Sequence, residues 1–202
     1  MSWEEVRKDV NENGSSEGID FISFKEGSTE IRIVDDEPIA RWKHWVPQIK
    51  RSIVCPGKGC PICNIIKNAK QNKEVPKYNS SKRYHIHVID RTDGKLKIME
   101  NSKTFFGQLL TLQDNVGKLT SYDLKVIRTG TGKKTQYNII PMAQTPLTEK
   151  DKELLSDRVD LDEYFAAPTN EQIIRLLNGE KPEDVFREED EGVEEIEVDF
   201  TE

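Results

Sequence analysis

The segment His44-Trp-Val-Pro-Gln-Ile-Lys-Arg-Ser-Ile-Val-Cys55-Pro-Gly-Lys-Gly-Cys60-Pro-Ile-Cys63 contains all three cysteines of the 202-residue chain. Cys60 and Cys63 have Cys-x2-Cys spacing, and the proline and glycines after Cys55 allow the chain to turn back. Three cysteines crowded together among Pro, Gly and Lys indicate metal ligation rather than a disulfide framework or buried free thiols. Zinc prefers four tetrahedral thiolate or imidazole ligands, so the stretch predicts one structural Zn²⁺.

The fourth ligand of this site has three candidates, because the chain contains His44, His85 and His87. His44 lies upstream of Cys55 on a segment that can fold back as a hairpin. His85 and His87 share one face of a predicted strand, from which either can approach the cysteines or face solvent or a ligand. The residues alone leave this choice open.

The charge of the chain is distributed unevenly, although its formal net charge is only -7. Residues 183–202 contain eleven acids and one base, whereas residues 41–103 contain fifteen bases and four acids. A basic body of this kind is the electrostatic footprint of nucleic-acid binding. No apolar run is long enough to span a bilayer and the first ten residues do not resemble a signal peptide, so we expect a soluble cytoplasmic protein that does not bind membranes.

The apolar pattern predicts several short strands and a few helices. Period-two alternation predicts strands at 29–34, 40–46, 51–54, 83–90, 96–99, 122–128 and 135–140, the last ending at Pro141. Helical spacing predicts helices at 64–73, 102–113 and 170–178, with caps at Ser102 and at Thr169 or Asn170. The pattern favours a mainly β, α+β fold built on a small, partly open barrel.

Composition divides the chain into four parts. An N-terminal arm and polar linker (1–18) precede a core (19–145) that contains a zinc subdomain at roughly 41–75. A helical segment (146–182) follows, and then an acidic tail (183–202). The tail has few large apolar residues and no pattern that would bury a core, which predicts disorder.

Cations and aromatic side chains are interleaved along the basic body. Single-stranded nucleic acid requires this combination, because cations follow the phosphates and aromatic rings stack on the bases. Each aromatic residue taken alone is more typical of a hydrophobic core, and each lysine of a solvated surface. The high density of positive charge over the whole set nevertheless favours nucleic-acid binding. The predicted contacts are Arg41, Trp42, Lys43, Trp45, Lys50, Arg51, Lys82, Arg83, Tyr84, Tyr122, Lys125, Arg128, Lys133, Lys134 and Tyr137. Charge does not distinguish DNA from RNA.

The chain lacks the motifs that indicate catalysis. Thr129-Gly-Thr-Gly132 is too short for a phosphate-binding loop, and no histidine belongs to a His-x-Glu or His-Glu-x-x-His motif. No Gly-x-Ser-x-Gly nucleophile elbow is present. We therefore expect a binding protein and not an enzyme.

These features together resemble a known family, the zinc-containing single-stranded DNA-binding (helix-destabilising) proteins of T-even phages. The resemblance covers residues 20–145, and the acidic tail is similar in composition only. One difference is that the cysteines are more closely spaced than in the T-even proteins. The segments similar to versions in other tailed phages are His44-Trp-Val-Pro47, Lys50-Arg-Ser52, Cys55-Pro-Gly57, Cys60-Pro-Ile-Cys63, Tyr122-Asp-Leu124, Gly130-Thr-Gly132 and Thr135-Gln-Tyr137.

The resemblance implies a five-stranded OB-fold barrel with a zinc subdomain, and His44, Cys55, Cys60 and Cys63 as the zinc ligands. It implies cooperative coating of single-stranded DNA during phage DNA replication, recombination and repair in the host cytoplasm. The acidic tail is expected to recruit replication or recombination proteins, with Phe200 as a candidate anchor. Two alternatives stay open, an RNA-binding or translation-control module on the same surface and a zinc-stabilised protein–protein adaptor.

Overall fold

The computed structural model describes residues 19–187. The predicted N-terminal arm (1–18) and most of the predicted tail (188–202, including Phe200) lie outside the described residues. The described residues divide into a first compact unit, residues 19–40 and 84–164, and a second, residues 41–83 and 165–187. Over residues 19–187, no helix combines the length and the apolar character needed to cross a membrane.

In the described part of the chain, seven strands make up the sheet. They are β1 (Gly27–Ile33), β2 (Ile39–Val46), β3 (Arg51–Val54), β4 (Ser80–Asp90), β5 (Lys95–Ser102), β6 (Tyr122–Thr129) and β7 (Gln136–Gln144). Their order is β3-β2-β4-β1-β6-β7, with β5 paired to β4. β1 runs antiparallel to β4 and β6, β2 to β3, and β6 to β7.

The prediction of a mixed, strand-rich fold is confirmed, but the strand order does not show a closed five-stranded barrel. Within the described chain β3 and β7 stand at the two ends of the strand order, and each has one neighbouring strand. The sheet is therefore open. Alternation of apolar and polar residues locates strands but does not encode whether the end strands pair, which explains the difference.

Pro141 does not end the last strand, contrary to the sequence prediction. β7 continues to Gln144, and Pro141 pairs with Leu124 of β6. A proline cannot donate to a strand ladder and is tolerated where one side of the strand has no partner. The position of β7 at the end of the strand order meets this condition.

Six α-helices accompany the sheet within residues 19–187. They are α1 (Pro61–Gln71), α2 (Lys103–Val116), α3 (Glu149–Leu154), α4 (Leu161–Tyr164), α5 (Asn170–Leu177) and α6 (Pro182–Arg187). The predicted caps are present, since Ser102 accepts from the backbone of Phe105 and Thr169 forms a capping box with Gln172. α1 begins three residues before its predicted start, because Pro61 suits the first position of a helix. Residues 183–187, assigned by sequence to the disordered tail, belong to α6.

Each unit has its own apolar core. In the first unit, Phe105, Phe106 and Leu109 of α2 pack with Ile31, Ile33 and other strand residues. In the second unit, Val46 and Ile53 of the β2–β3 hairpin pack with Ile62 of α1 and with Ile173 and Leu176 of α5. Burial of each such side chain contributes about 1.5–3 kcal/mol. The second core also contains Cys60, so the cysteine cluster is built into it.

Candidate metal centre and nucleic-acid interface

Four potential metal ligands converge in the second unit. His44 is a buried residue of β2, Cys55 directly follows β3, and Cys60 and Cys63 lie at the start of α1. Their ligand atoms all lie within 4.8 Å of one another. The structure therefore brings together the set implied by the family resemblance.

The turn between β3 and α1 depends on two glycines. Gly57 and Gly59 have φ angles of +82° and +81°, a conformation that other residues rarely adopt. This turn lets the backbone N–H of Gly57 point at Cys55 Sγ, at 3.4 Å, and the N–H of Cys60 bond to the Gly57 carbonyl. An N–H directed at sulfur stabilises a thiolate, so the loop is organised around the cysteine side chains.

The imidazole of His44 faces the cysteines through Nε2. This nitrogen lies 3.5 Å from Cys63 Sγ and 3.6 Å from Cys60 Sγ, and Cys55 Sγ lies 3.6 Å from Cys63 Sγ. On the other side of the ring, Nδ1 lies 3.3 Å from the carbonyl oxygen of Asn79. A carbonyl can only accept, so Nδ1 carries the proton and the Nε2 lone pair points at the sulfurs.

The ionisation of these groups fits a cation at their centre. Burial raises the pKa of the Cys55 thiol, and burial with the neighbouring Cys55 and Cys60 raises the pKa of Cys63 to about 12. Burial lowers the pKa of His44, which keeps its imidazole neutral. Clustered thiolates are therefore costly without a positive ion, and a neutral imidazole with three sulfurs is the donor set that soft divalent metals take.

The other two histidines are placed in the first unit and have carboxylate partners there. His85 Nε2 lies 2.9 Å from Glu100 Oε2, and His87 Nδ1 lies 2.8 Å from Asp35 Oδ2. Both imidazoles are buried, because β4 is covered on both faces over residues 85–90. They pair with carboxylates of their own unit, they do not belong to the group of four potential ligands, and they do not face solvent.

Two tryptophans of the second unit are half exposed. Trp42 and Trp45 of β2 are 52% and 51% exposed, unlike His44 and Val46 of the same strand, which are buried. Tryptophan is rarely left so open without a partner surface, and these rings are available for stacking. Lys50, Arg51 and Lys82 are exposed in the same unit.

Phe165, a residue that the sequence did not single out, supports two of the predicted cations. Lys43 Nζ lies 5.5 Å from the centre of its ring, and Arg41 Nε donates to its carbonyl oxygen at 3.2 Å. Phe165 follows Arg41 by more than 120 residues, so no local pattern indicates this contact.

The other two predicted arginines of the second unit are less freely exposed or have a nearby acid. Arg83 is half-buried, and the guanidinium of Arg51 lies 3.8 Å from the carboxylate of Glu183.

The predicted aromatics of the first unit are oriented towards its core. Tyr122 is fully buried, and its hydroxyl donates to the Gly117 carbonyl at 3.1 Å. Tyr84 stacks on Phe106 with ring centres 5.2 Å apart, and Tyr137 packs edge-to-face on Phe105. Tyr122 cannot stack on a base in this position, so we leave it out of the candidate interface.

The predicted cations of the first unit differ in their surroundings. Lys133 and Lys134 are exposed on the turn between β6 and β7. Lys125 lies 3.9 Å from Glu30, and Arg128 donates to the Phe24 carbonyl at 2.9 Å. Of these four predicted cations, Lys133 and Lys134 are therefore the two best placed to reach a phosphate.

Comparison with known proteins finds a similarity to a phage protein. No family model matches the chain, and no solved structure matches it. The chain is 27% identical over 189 residues to the probable ssDNA-binding protein of Escherichia phage T5, and the match covers 79% of this chain and 70% of that protein. The similarity confirms the resemblance to phage single-stranded DNA-binding proteins, although not to the zinc-containing T-even type in particular.

Proposed function

We propose that this chain is a non-enzymatic single-stranded DNA-binding protein of a phage-type replication system. The observation that carries the proposal is the half-exposed pair Trp42 and Trp45 on the strand that also presents His44. They lie in residues 41–83, which contain eleven bases and one acid. Binding of single-stranded nucleic acid requires aromatic rings that stack on the bases and nearby positive charges that contact the phosphates. The T5 relative is named for the same activity.

The metal of this proposal is one structural Zn²⁺. In a zinc tetrahedron, Zn–S bonds of about 2.3 Å and Zn–N bonds of about 2.0–2.1 Å place the sulfurs about 3.8 Å from each other and about 3.5 Å from the nitrogen. The sulfur–sulfur distance of 3.6 Å and the sulfur–nitrogen distances of 3.5 and 3.6 Å agree with these values. Four protein ligands leave no open position, which supports a structural role.

The proposed interface consists of exposed cations that hold phosphates and tryptophans that stack on bases. In the second unit it uses Trp42, Trp45, Lys50, Arg51 and Lys82, and Lys43 is held on Phe165. Lys133 and Lys134 of the first unit are a separate pair of exposed cations that can hold phosphates. The open sheet would act as an OB-fold-like platform, a class of fold that binds single strands with no chemistry.

The biological role follows from the same proposal. A protein of this class coats single-stranded DNA during replication, recombination and repair in the host cytoplasm. The acidic residues of 183–202 would recruit basic partner proteins.

The test is the affinity for a fluorescent single-stranded DNA oligomer and for its duplex, at two salt concentrations, with and without a zinc chelator. We expect tight, salt-sensitive binding to the single strand that falls as zinc is removed. Equal or absent binding to both would overturn the proposal. Competition with a ribo-oligomer of the same sequence tests the RNA-binding alternative. Deletion of 188–202 tests the adaptor alternative, because a DNA-binding protein retains or gains affinity without the tail.

A further inference from the structure

A groove in the second unit runs along strand β3. It has a volume of about 370 Å³, and its apolar lining includes Ile49, Ile53, Val54 and Phe186. The charged residue among its described lining is Arg51. β3 is an end strand, since its neighbour in the sheet order is β2 on one side and no other described strand on the other. The groove therefore combines an apolar lining with a free strand edge.

The register of the β2–β3 hairpin shows which backbone groups form this edge. Lys43 pairs with Val54 and Trp45 with Ser52, and the N–H of Cys55 donates to the Trp42 carbonyl at 2.8 Å. In an antiparallel pair, hydrogen-bonded and non-hydrogen-bonded positions alternate. The backbone groups of Ile53 therefore point towards β2, whereas those of Ser52 and Val54 point away from it. Ser52 and Val54 both line the groove.

The chain contains a segment that matches such an edge. Within residues 188–202, the run Ile196-Glu-Val-Asp-Phe200 alternates apolar and acidic residues with the period of a β-strand. An extended segment that adds to a free edge uses backbone hydrogen bonds for affinity and alternate side chains for specificity. Ile196, Val198 and Phe200 would present one apolar face, while Glu197 and Asp199 carry charge opposite to that of Arg51.

The connection to the groove is short. Phe186 lines the groove and belongs to α6, the last described element, which ends at Arg187. Eight residues (188–195) separate this helix from Ile196, and an extended chain of that length spans up to about 28 Å. That reach exceeds the length of the four-residue strand β3, about 13 Å. The segment can therefore reach the edge of its own chain.

We propose that residues 196–200 add to the free edge of β3 as an extra strand, with Ile196, Val198 and Phe200 against the apolar lining of the groove. The tail then binds to the second unit, which contains the candidate metal centre, in addition to carrying acidic charge. This inference depends on the edge, the groove and the alternation, and its test does not require DNA. Arg51 belongs both to the groove and to the proposed DNA interface.

The test is residue-resolved amide hydrogen exchange by NMR on the full, zinc-loaded chain. We expect the Ser52 and Val54 amides to exchange at least tenfold faster in the double variant Val198→Ser/Phe200→Ser than in the wild-type protein. The Ile53 amide, which points towards β2, is the internal control and should not change. The variant Glu197→Asp/Asp199→Glu keeps the charge and the alternation and should retain the wild-type protection.

Each other result overturns the proposal. Fast exchange at Ser52 and Val54 in the wild-type chain would mean that the edge has no strand on it. Protection that rises with protein concentration would assign the edge to a second copy of the chain. Protection that arises only after addition of a single-stranded oligomer would assign the groove to nucleic acid.

Discussion

The Oγ atom of Ser80 lies 3.1 Å from Nδ1 of His44, on the side of the imidazole that faces away from the cysteines. Ser80 is the first residue of β4, so a neighbouring strand fixes the orientation of the ring. Partners of this kind, which contact a metal ligand but not the metal, keep the imidazole in one tautomer and raise its basicity. Ser80 is therefore a positioning residue for the candidate metal centre.

Removal of this hydroxyl should weaken zinc binding without abolishing it. We expect Ser80→Ala to lower zinc affinity about tenfold, at the lower end of the effects usual for such partners, because the Asn79 carbonyl still contacts Nδ1. Competition with a chromophoric chelator measures this change. The adjacent exposed residue provides the matched control, Ser81→Ala, which should bind zinc as the wild type does. Equal affinities for the two variants would remove Ser80 from the site.

The assignment of His44 as the fourth ligand can be tested by metal analysis. We expect one zinc per wild-type chain and a large loss of zinc in His44→Ala, with a lower melting temperature, because metal binding and folding of such sites are coupled. His85→Gln should keep its zinc, since His85 contacts Glu100 in the first unit. Zinc retained in His44→Ala but lost in His85→Gln would contradict the ligand set.

The exposed tryptophans should contribute directly to DNA affinity. We expect Trp42→Ala and Trp45→Ala each to weaken binding to a single-stranded oligomer by about 1–3 kcal/mol, the usual value of one stacked base. Tyr122→Phe is the control, because this buried ring keeps its packing and loses only the hydroxyl that bonds to Gly117. Its DNA affinity should stay unchanged. Fluorescence anisotropy measures all three, and unchanged affinity in both tryptophan variants would place the interface elsewhere.

Spacing and residue type were sufficient to predict the local parts of this molecule. β3 has the predicted bounds, and the cap of α2 at Ser102 lies where its side chain satisfies an N–H of the first turn. The burial of Tyr122 could also have been anticipated from the sequence. Tyr122 alternates in step with Leu124 and Val126, so all three side chains of β6 point to the same, core-facing side.

Contacts between distant segments were beyond the reach of these patterns. Nothing local in the sequence places Phe165 under Lys43 or α5 against α1, because both contacts depend on where the C-terminal segment returns. Closure of the sheet likewise depends on contacts between distant segments, because it requires the two end strands to pair. Residue patterns repeat over two to four positions and carry no information on such pairings.

The salt dependence of binding should report the cations on the β6–β7 turn. Each phosphate contact to a single strand contributes about 0.7 to the slope of log affinity against log salt, so Lys133→Gln/Lys134→Gln should reduce the slope by about 1.4. The exposed Lys152 lies outside the proposed interface and pairs with Glu149 at 2.6 Å. Lys152→Gln should therefore leave the slope unchanged. Equal slopes for the wild type and the double variant would exclude this turn.

Asp151 should make the stability of the first unit sensitive to acid. Its buried carboxylate accepts from Arg91 at 2.6 Å and from the backbone of Thr148 at 3.0 Å. Burial alone would raise the pKa of Asp151, but the hydrogen bonds from Arg91 and Thr148 outweigh it and hold the pKa below the usual 3.8. A carboxyl group with a lowered pKa in the folded state stabilises the protein above its unfolded pKa and loses that contribution as the pH falls.

We therefore expect Asp151→Asn to lower the free energy of unfolding by about 1.5–3 kcal/mol at pH 7, the value of hydrogen bonds to a charged group. As the pH falls below the unfolded pKa of about 3.9, the unfolded chain takes up a proton before the folded carboxylate does, so the difference should shrink until the pH reaches the lower folded pKa of Asp151. Urea unfolding at several pH values measures it. The exposed Asp114 gives the control Asp114→Asn, which should match the wild type throughout. A difference that stays constant into acid would mean that the lost stability comes from packing and not from the Arg91–Asp151 ion pair.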